Sequence, residues 1–323
     1  MYSAHYHLLL NHLPIIGTFI GLALFLVSLI ANKDDLKQAS LGLFSFIALL
    51  AIPAYMSGNA AQEFFREKPG VSMDLIQTHQ GAALLALVFM EITGAFALIG
   101  LWEFSRAGKK SEASRPAGRI VAAVLLFSIV TSILMAIAGN TGGDIRHPEI
   151  IVDNEAPSSV GAAGAKILPF VQYYVVEYSN WVWPILEDLH FVGLILILGA
   201  IGVLNLRIMG FFKQLPVAPL HRFIPWGIAG VFINVITGML FFIGMPPFYA
   251  DNPDFRWKMI AIVIAGTNLM LFYCTSAFRP LARLGPGEEA PLSAKFIAAS
   301  SLFLWIAIVF LGRYIPSFEV YHH

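Results

Sequence analysis

Cysteine is almost absent from this chain. The single one, Cys274, excludes disulfides, a CxxCH haem attachment, cysteine-ligated iron–sulfur clusters and thiolate zinc. Any bound metal or haem must draw on His, Met or carboxylate. Charge is scarce as well: 12% of the 323 residues are charged against 58% hydrophobic, and the mean hydropathy is +0.73. A water-exposed globule does not suit so few charges, so the bilayer is the expected solvent. Strand alternation is missing, which excludes a porin-like barrel. There is no GxGxxG, no phosphate loop and no HExxH, and nothing points to nucleic acid, nucleotide or hydrolytic chemistry. Residues Met1–Asn11 lack a basic n-region, and no small-residue cleavage site follows the first apolar run, so no cleavable signal is expected.

What the chain has is long apolar runs. Eight are long enough to span a bilayer, at roughly 8–31, 41–60, 76–102, 119–139, 182–205, 223–245, 258–278 and 294–315. The expected fold is all-α: a polytopic membrane protein built as two four-helix bundles, residues 1–140 and 181–323. Between them lies an outer-side connecting segment, 141–180, longer than most loops. Its stretch 156–166 reads as flexible, and its aromatic end, 172–184, as an interface belt with Pro184 at a helix start. Small residues recur in the spans (Gly17 and Gly21, Gly94 and Ala97) where helices approach closely.

The few charges are unevenly placed. The loops 32–40, 103–119, 206–222 and 279–295 hold 13 of the 20 Lys and Arg, and the opposite side holds 7. The positive-inside rule then puts both termini on the outer, periplasmic side of a bacterial inner membrane. Carboxylates reverse the pattern, with 13 outside, 6 inside and Glu91 in mid-membrane. An acidic outer face suits docking of a basic soluble partner, such as a c-type cytochrome. Eight of the nine histidines fall on that same outer side; only His221 does not.

Imidazoles gathered at one depth point to a metal or haem site. His12 sits about four residues inside the first span, and His79 a similar distance inside the third, which runs in the same direction. Two histidines at matched depth on two helices suit bis-His ligation of a b-type haem. After the fourth span, Arg146 is placed to pair with a haem propionate, and His147 to act as a ligand or as a proton acceptor beside a quinol. In the second half Glu187 and His190 share a helix face. His190 lies about 13 Å of rise into its span, with Asn234, Asn268, a water or a quinone headgroup as expected partners. Glu91 competes between a proton or quinone role and an interhelical hydrogen bond to Thr93 or a serine. His5, His7, His322 and His323 read as surface decoration.

Two resemblances bear on this reading. His7-x4-His12-x-Pro14, Ser57-Gly58-Asn59 closing the second span, His79, and Thr141-Gly142-Gly143-Asp144-Ile145-Arg146-His147 follow one another in the order of a bacterial four-span membrane domain of unassigned function. The likeness covers about residues 1–150. It implies haem binding, with His12, His79 and His147 as functional positions. Leu8 replaces a proline of the pattern, and Leu13 a phenylalanine. The second half has Trp181-Val182-Trp183-Pro184 leading to Glu187 and His190, then Asn205-Leu206-Arg207, Trp226-Gly227 and Phe255-Arg256-Trp257. Over about 180–323 it resembles relatives of the copper-resistance D membrane family.

The resulting expectation is an integral-membrane electron-transfer subunit, b-type cytochrome-like, holding haem b between His12 and His79 and exchanging electrons with a quinone. Two alternatives stand beside it. One is a copper-handling or small-solute permease, in which the outer histidines and Met56, Met73, Met245 and Met259 collect a soft cation. The other is a structural subunit of a larger membrane complex.

Overall fold

In a computed structural model of the chain, the described residues are 7, 9–66, 72–107, 117–146, 158–274, 281 and 284–315. They form helices and connecting turns, with no strand among them. In chain order the helices are α1 (His12–Ile30), α2 (Asp34–Arg66), α3 (Met73–Ala107), α4 (Gly118–Arg146), α5 (Ser159–Gln172), α6 (Val182–Ile197), α7 (Val203–Met209), α8 (Val217–His221), α9 (Ile224–Gly244), α10 (Pro246–Ala250), α11 (Pro253–Cys274) and α12 (Leu292–Tyr314). Short π-helical stretches, Tyr173–Glu177 and Leu198–Gly202, follow α5 and join α6 to α7. Eight helical segments among the described residues are long and apolar enough to cross a membrane, in agreement with the runs read from the sequence. The protein is an all-α, multi-pass membrane protein.

Large apolar side chains on the outside of the helices agree with that solvent. Ile16, Ile20, Leu126, Ile195, Ile236, Phe303 and Phe310 are all exposed, an arrangement that water would penalise and lipid tails do not. Hydroxyls within the spans turn back on their own helices. Thr18 donates to the Pro14 carbonyl at 2.6 Å, Thr131 to that of Phe127 at 2.7 Å, and Thr267 to that of Val263 at 2.7 Å. An apolar medium leaves a hydroxyl few other partners.

The chain divides into two compact units. The first comprises Met1–Ala97, Arg119–Val182 and Leu240–Asp251; the second comprises Leu98–Gly118, Trp183–Met239 and Asn252–His323. This division differs from the boundaries expected at 140 and 181. The described part of the connecting segment belongs with the first four helices, and so does a short stretch near 245. The segment is also not a flexible linker over 159–166. Ser158 caps α5 by accepting from the Gly161 amide at 3.3 Å. The small residues that suggested flexibility are used for packing: Gly164 meets Gly81 of α3 backbone to backbone, and Gly161 meets the carbonyl and methyl of Thr78, with no room for a Cβ at either.

In the first unit α2 is the central helix. Of its most apolar stretch 67% is buried, against 28% for α1 and for α4. Glycines let its neighbours close on it: Gly17 receives Ile47, Gly21 receives Phe44, and Gly94 of α3 meets Ala48. Thr93 of α3 and Thr131 of α4 share a hydrogen bond of 2.9 Å. The second unit packs around Ile197, Ile201, Ala265 and Trp305, and around Leu204, Ile208, Phe272 and Ala294. There Arg207 is fully buried near the end of α7. It donates to the Leu215 carbonyl through Nε, and through Nη2 to those of Gly285 (2.9 Å) and Glu288 (3.2 Å). Gly210, at φ +107, closes α7 in the left-handed conformation that glycine tolerates.

Candidate metal centre

The ring that faces His79 is His7. The two ring centroids are 6.4 Å apart, with the planes inclined at 71°. His7 lies in helical backbone one turn before α1, its carbonyl accepting from Asn11 N–H at 2.9 Å. His12, expected to be the partner, is exposed. Helix geometry explains the exchange. Five residues turn an α-helix by about 140°, so His7 and His12 cannot face the same neighbour.

Both imidazoles are held in the same way. Nδ1 of His7 lies 3.1 Å from the Ala54 carbonyl oxygen and 3.2 Å from Ser57 Oγ on α2. Nδ1 of His79 lies 3.0 Å from the Ala138 carbonyl oxygen and 3.2 Å from Thr141 Oγ1 on α4. A carbonyl only accepts, so each neutral ring carries its proton on Nδ1 and donates it there. Ser57 itself donates to the Ala54 carbonyl at 2.7 Å, and Thr141 to that of Ala138 at 3.2 Å. Each Nε2 then carries the lone pair, and neither has a hydrogen-bond partner among the described residues. A backbone carbonyl that fixes the ring and its tautomer is the usual support of a metal-bound histidine.

The surroundings repeat in finer detail. A Cβ on Gly58 would lie 3.1 Å from Cε1 of His7, and one on Gly142 would lie 3.1 Å from Cε1 of His79. Each ring therefore rests in a notch that glycine leaves open. The two hairpins, α1–α2 and α3–α4, share a five-residue pattern on their second helix: Ala54-x-x-Ser57-Gly58 and Ala138-x-x-Thr141-Gly142. That pattern was the sequence signal for His7, and reading for depth alone overlooked it.

The centroid separation equals that of two imidazoles sharing one metal ion. With metal–nitrogen bonds of about 2.0–2.1 Å, and the nitrogen about 1.1 Å from its ring centre, the centroids stand about 6.2–6.4 Å apart. Burial is the main influence on His7, holding it below its ordinary pKa; the Ala54 hydrogen bond opposes this and the charge of His12 adds to it. The ring is thus neutral at pH 7, as ligation requires. The described residues contain no group of three or more His, Cys, Asp or Glu side chains able to hold a metal; the donors they offer here are two imidazoles. Such a set fits a haem, whose macrocycle supplies four of the iron's six ligands.

Arg146 ends α4, and His147 lies outside the described residues, as do His5, His322 and His323. Glu91 does not bond Thr93, which serves the Phe89 carbonyl and Thr131. Its Oε1 is buried without a hydrogen-bond partner among the described residues. In the second unit His190 bonds neither of the two asparagines considered for it. Asn234 donates to the Gly230 carbonyl at 3.1 Å, and Asn268 to Ser300 at 3.0 Å. Thr237 is the partner at 2.8 Å, and its own hydroxyl donates to the Ile233 carbonyl. Glu187 is exposed while His190 is half-buried.

The chain matches no protein-family model, no curated protein and no solved structure. The functional reading therefore rests on geometry.

Proposed function

We propose that this protein is an integral-membrane electron-transfer subunit that holds a b-type haem between His7 and His79. One observation carries the reading: two imidazoles stand 6.4 Å apart, each anchored through Nδ1 to a carbonyl of the next helix. The chain's part is to present two Nε2 lone pairs at a set spacing, fix both tautomers, and keep the rings in glycine notches against the helices. Haem in such a site carries one electron at a time. The cation bias of 13 to 7 supports a bacterial inner membrane with the termini, and so His7, on the outer side. The acidic outer face supports a basic redox partner, such as a c-type cytochrome or a sister subunit.

An absorption spectrum of protein purified from haem-replete cells tests this. A reduced b-type band that disappears in His7→Ala and in His79→Ala, and survives in His12→Ala, is the expected result. A colourless wild-type protein sinks the reading.

A single copper ion is the alternative occupant, because two facing imidazoles with no third His, Cys, Asp or Glu grouped with them among the described residues also suit Cu(I) in a copper-handling protein. Stoichiometric copper without haem, lost in the same two variants, would favour it.

A further inference from the structure

The planes of the His7 and His79 rings are inclined at 71°, and that inclination is set from outside the pair. Each ring lies on its partner helix in the same pose. A Cβ on Gly58 would stand 3.1, 3.4 and 3.7 Å from Cε1, Nδ1 and Nε2 of His7. One on Gly142 would stand 3.1, 3.4 and 3.8 Å from the same atoms of His79. Each ring is therefore oriented by its own cradle on α2 or α4, and the angle between the rings follows from how those two helices are placed.

Two acceptors meet each Nδ1 proton. A carbonyl and the hydroxyl three residues on stand 3.1 and 3.2 Å from Nδ1 of His7, and 3.0 and 3.2 Å from Nδ1 of His79. Both hydroxyls direct their own protons to carbonyls of the same turn. Ser57 donates to Ala54 at 2.7 Å; Thr141 donates to Ile137 at 3.0 Å and to Ala138 at 3.2 Å. Their lone pairs are left to the rings. One acceptor tolerates a broad swing of an N–H before the bond weakens. Two acceptors at nearly equal distance fix its bearing, and with it the plane of the ring. Any residue supplies the carbonyl, but only Ser or Thr supplies the second acceptor in this form.

The ring planes matter to an iron that two imidazoles share. The π system of each ring overlaps the iron dπ orbital that lies across its plane. Parallel rings act on the same orbital and split the dπ pair. Steeply crossed rings act on both orbitals and leave them close in energy. Orbital momentum in low-spin ferric iron is then little quenched, and the electron paramagnetic resonance (EPR) signal becomes strongly anisotropic. Groups that orient the ligands thereby set the electronic state of the metal.

From the matched poses, the paired acceptors and the 71° inclination, we infer that Ser57 and Thr141 are positioning residues that hold the two axial imidazoles of a ferric haem crossed. The inference rests on the haem reading, to which it adds the electronic state of the iron. Neither hydroxyl is assigned a contact with the metal. Each acts through its histidine, Ser57 on His7 and Thr141 on His79.

Low-temperature EPR of the oxidised full-length protein, purified in detergent from haem-replete cells, tests the assignment. Wild type should give a strongly anisotropic low-spin ferric signal, with one dominant low-field feature. Ser57→Ala and Thr141→Ala each release one ring, and that feature should shift to lower g in both, toward the three-line rhombic pattern of rings nearer to parallel. Ser57→Thr and Thr141→Ser keep the hydroxyl and should keep the wild-type signal. A rhombic signal from wild type overturns the crossed arrangement. A signal that is unchanged in both alanine variants, or that shifts as far in the variants that keep the hydroxyl, overturns the role of Ser57 and Thr141. The two readings fail distinguishably. A colourless wild type removes the haem and this inference together, whereas a haem-containing wild type with a rhombic signal removes this inference alone.

Discussion

Each unit places a histidine inside a span, and the two are treated differently. In the first unit His79 meets a second ring that is held identically, so both imidazoles turn the same nitrogen away from their anchors. In the second unit His190 meets a threonine hydroxyl at 2.8 Å. A buried polar group in a membrane needs a partner. The first unit satisfies one nitrogen of each ring and leaves a repeated lone pair; in the second, a side-chain bond joins His190 to Thr237 on another helix. Depth in the bilayer is common to His79 and His190. Duplication of the surroundings is what separates them.

Substitutions can break that contrast. The largest expected effect is total loss of the reduced b-type band in His7→Ala or His79→Ala, with His190→Ala spectrally unchanged; absorption spectra at matched protein concentration check it. A band lost in His190→Ala would erase the distinction between the units. Next come Gly58→Val and Gly142→Val. Each pushes a side chain into the notch of one ring, and cofactor affinity should fall about 10–100-fold, as when the support of a ligand is disturbed. Haem titration of the apoprotein measures it, and the two variants should be alike because the notches are.

In the second unit the readout is stability instead. Arg207→Leu removes a fully buried cation that three carbonyls hold, leaving those acceptors unpaired. It should destabilise by about 2–4 kcal/mol with the spectrum retained, as read by thermal unfolding in detergent. Thr237→Val removes the acceptor of His190 and should cost about 1–2 kcal/mol, again without spectral change.

The smallest effect concerns the surface. Glu289 sits between Lys213 and Lys295. Hydrogen bonds to Lys213 and Lys295, with their charges, hold its carboxyl down at about 2, below the usual 4.5. The folded state thus favours the ionised form. The contribution is complete above pH 4.5 and fades as the pH falls toward 2. Because the carboxyl is exposed, solvent screens most of it. Glu289→Gln should lower the melting temperature by no more than about two degrees at pH 7, and the gap should close on acidification.

The spans were readable because a bilayer demands about 20 apolar residues in a row, and little else in a chain produces them. His79 was readable by its depth. His7 was not, since it precedes the first apolar run, and depth matching favours the histidine further inside. Depth is one coordinate of a helical position and azimuth is the other. The ~140° between residues 7 and 12 decides the pairing. Azimuth could have been read from the repeated Ala-x-x-Ser/Thr-Gly pattern, which marks the face of each partner helix that receives a ring. The stretch 156–166 misled for a different reason. Glycine and alanine favour both flexible chain and closely packed helix, and only the tertiary partner chooses. For His190 the sequence offers Asn234 and Asn268 beside a water or a quinone headgroup. Both asparagines were instead used inside the helix packing, and the shorter threonine reached the ring.

The contact of α5 with α3 has a mechanical consequence. Gly81 and Gly164 bring the two backbones together with no side chain between them. Side-chain interfaces yield by changing rotamers, whereas a seam of main-chain atoms has no rotamers to change. Along this seam α5 behaves as a strut and not as a hinge.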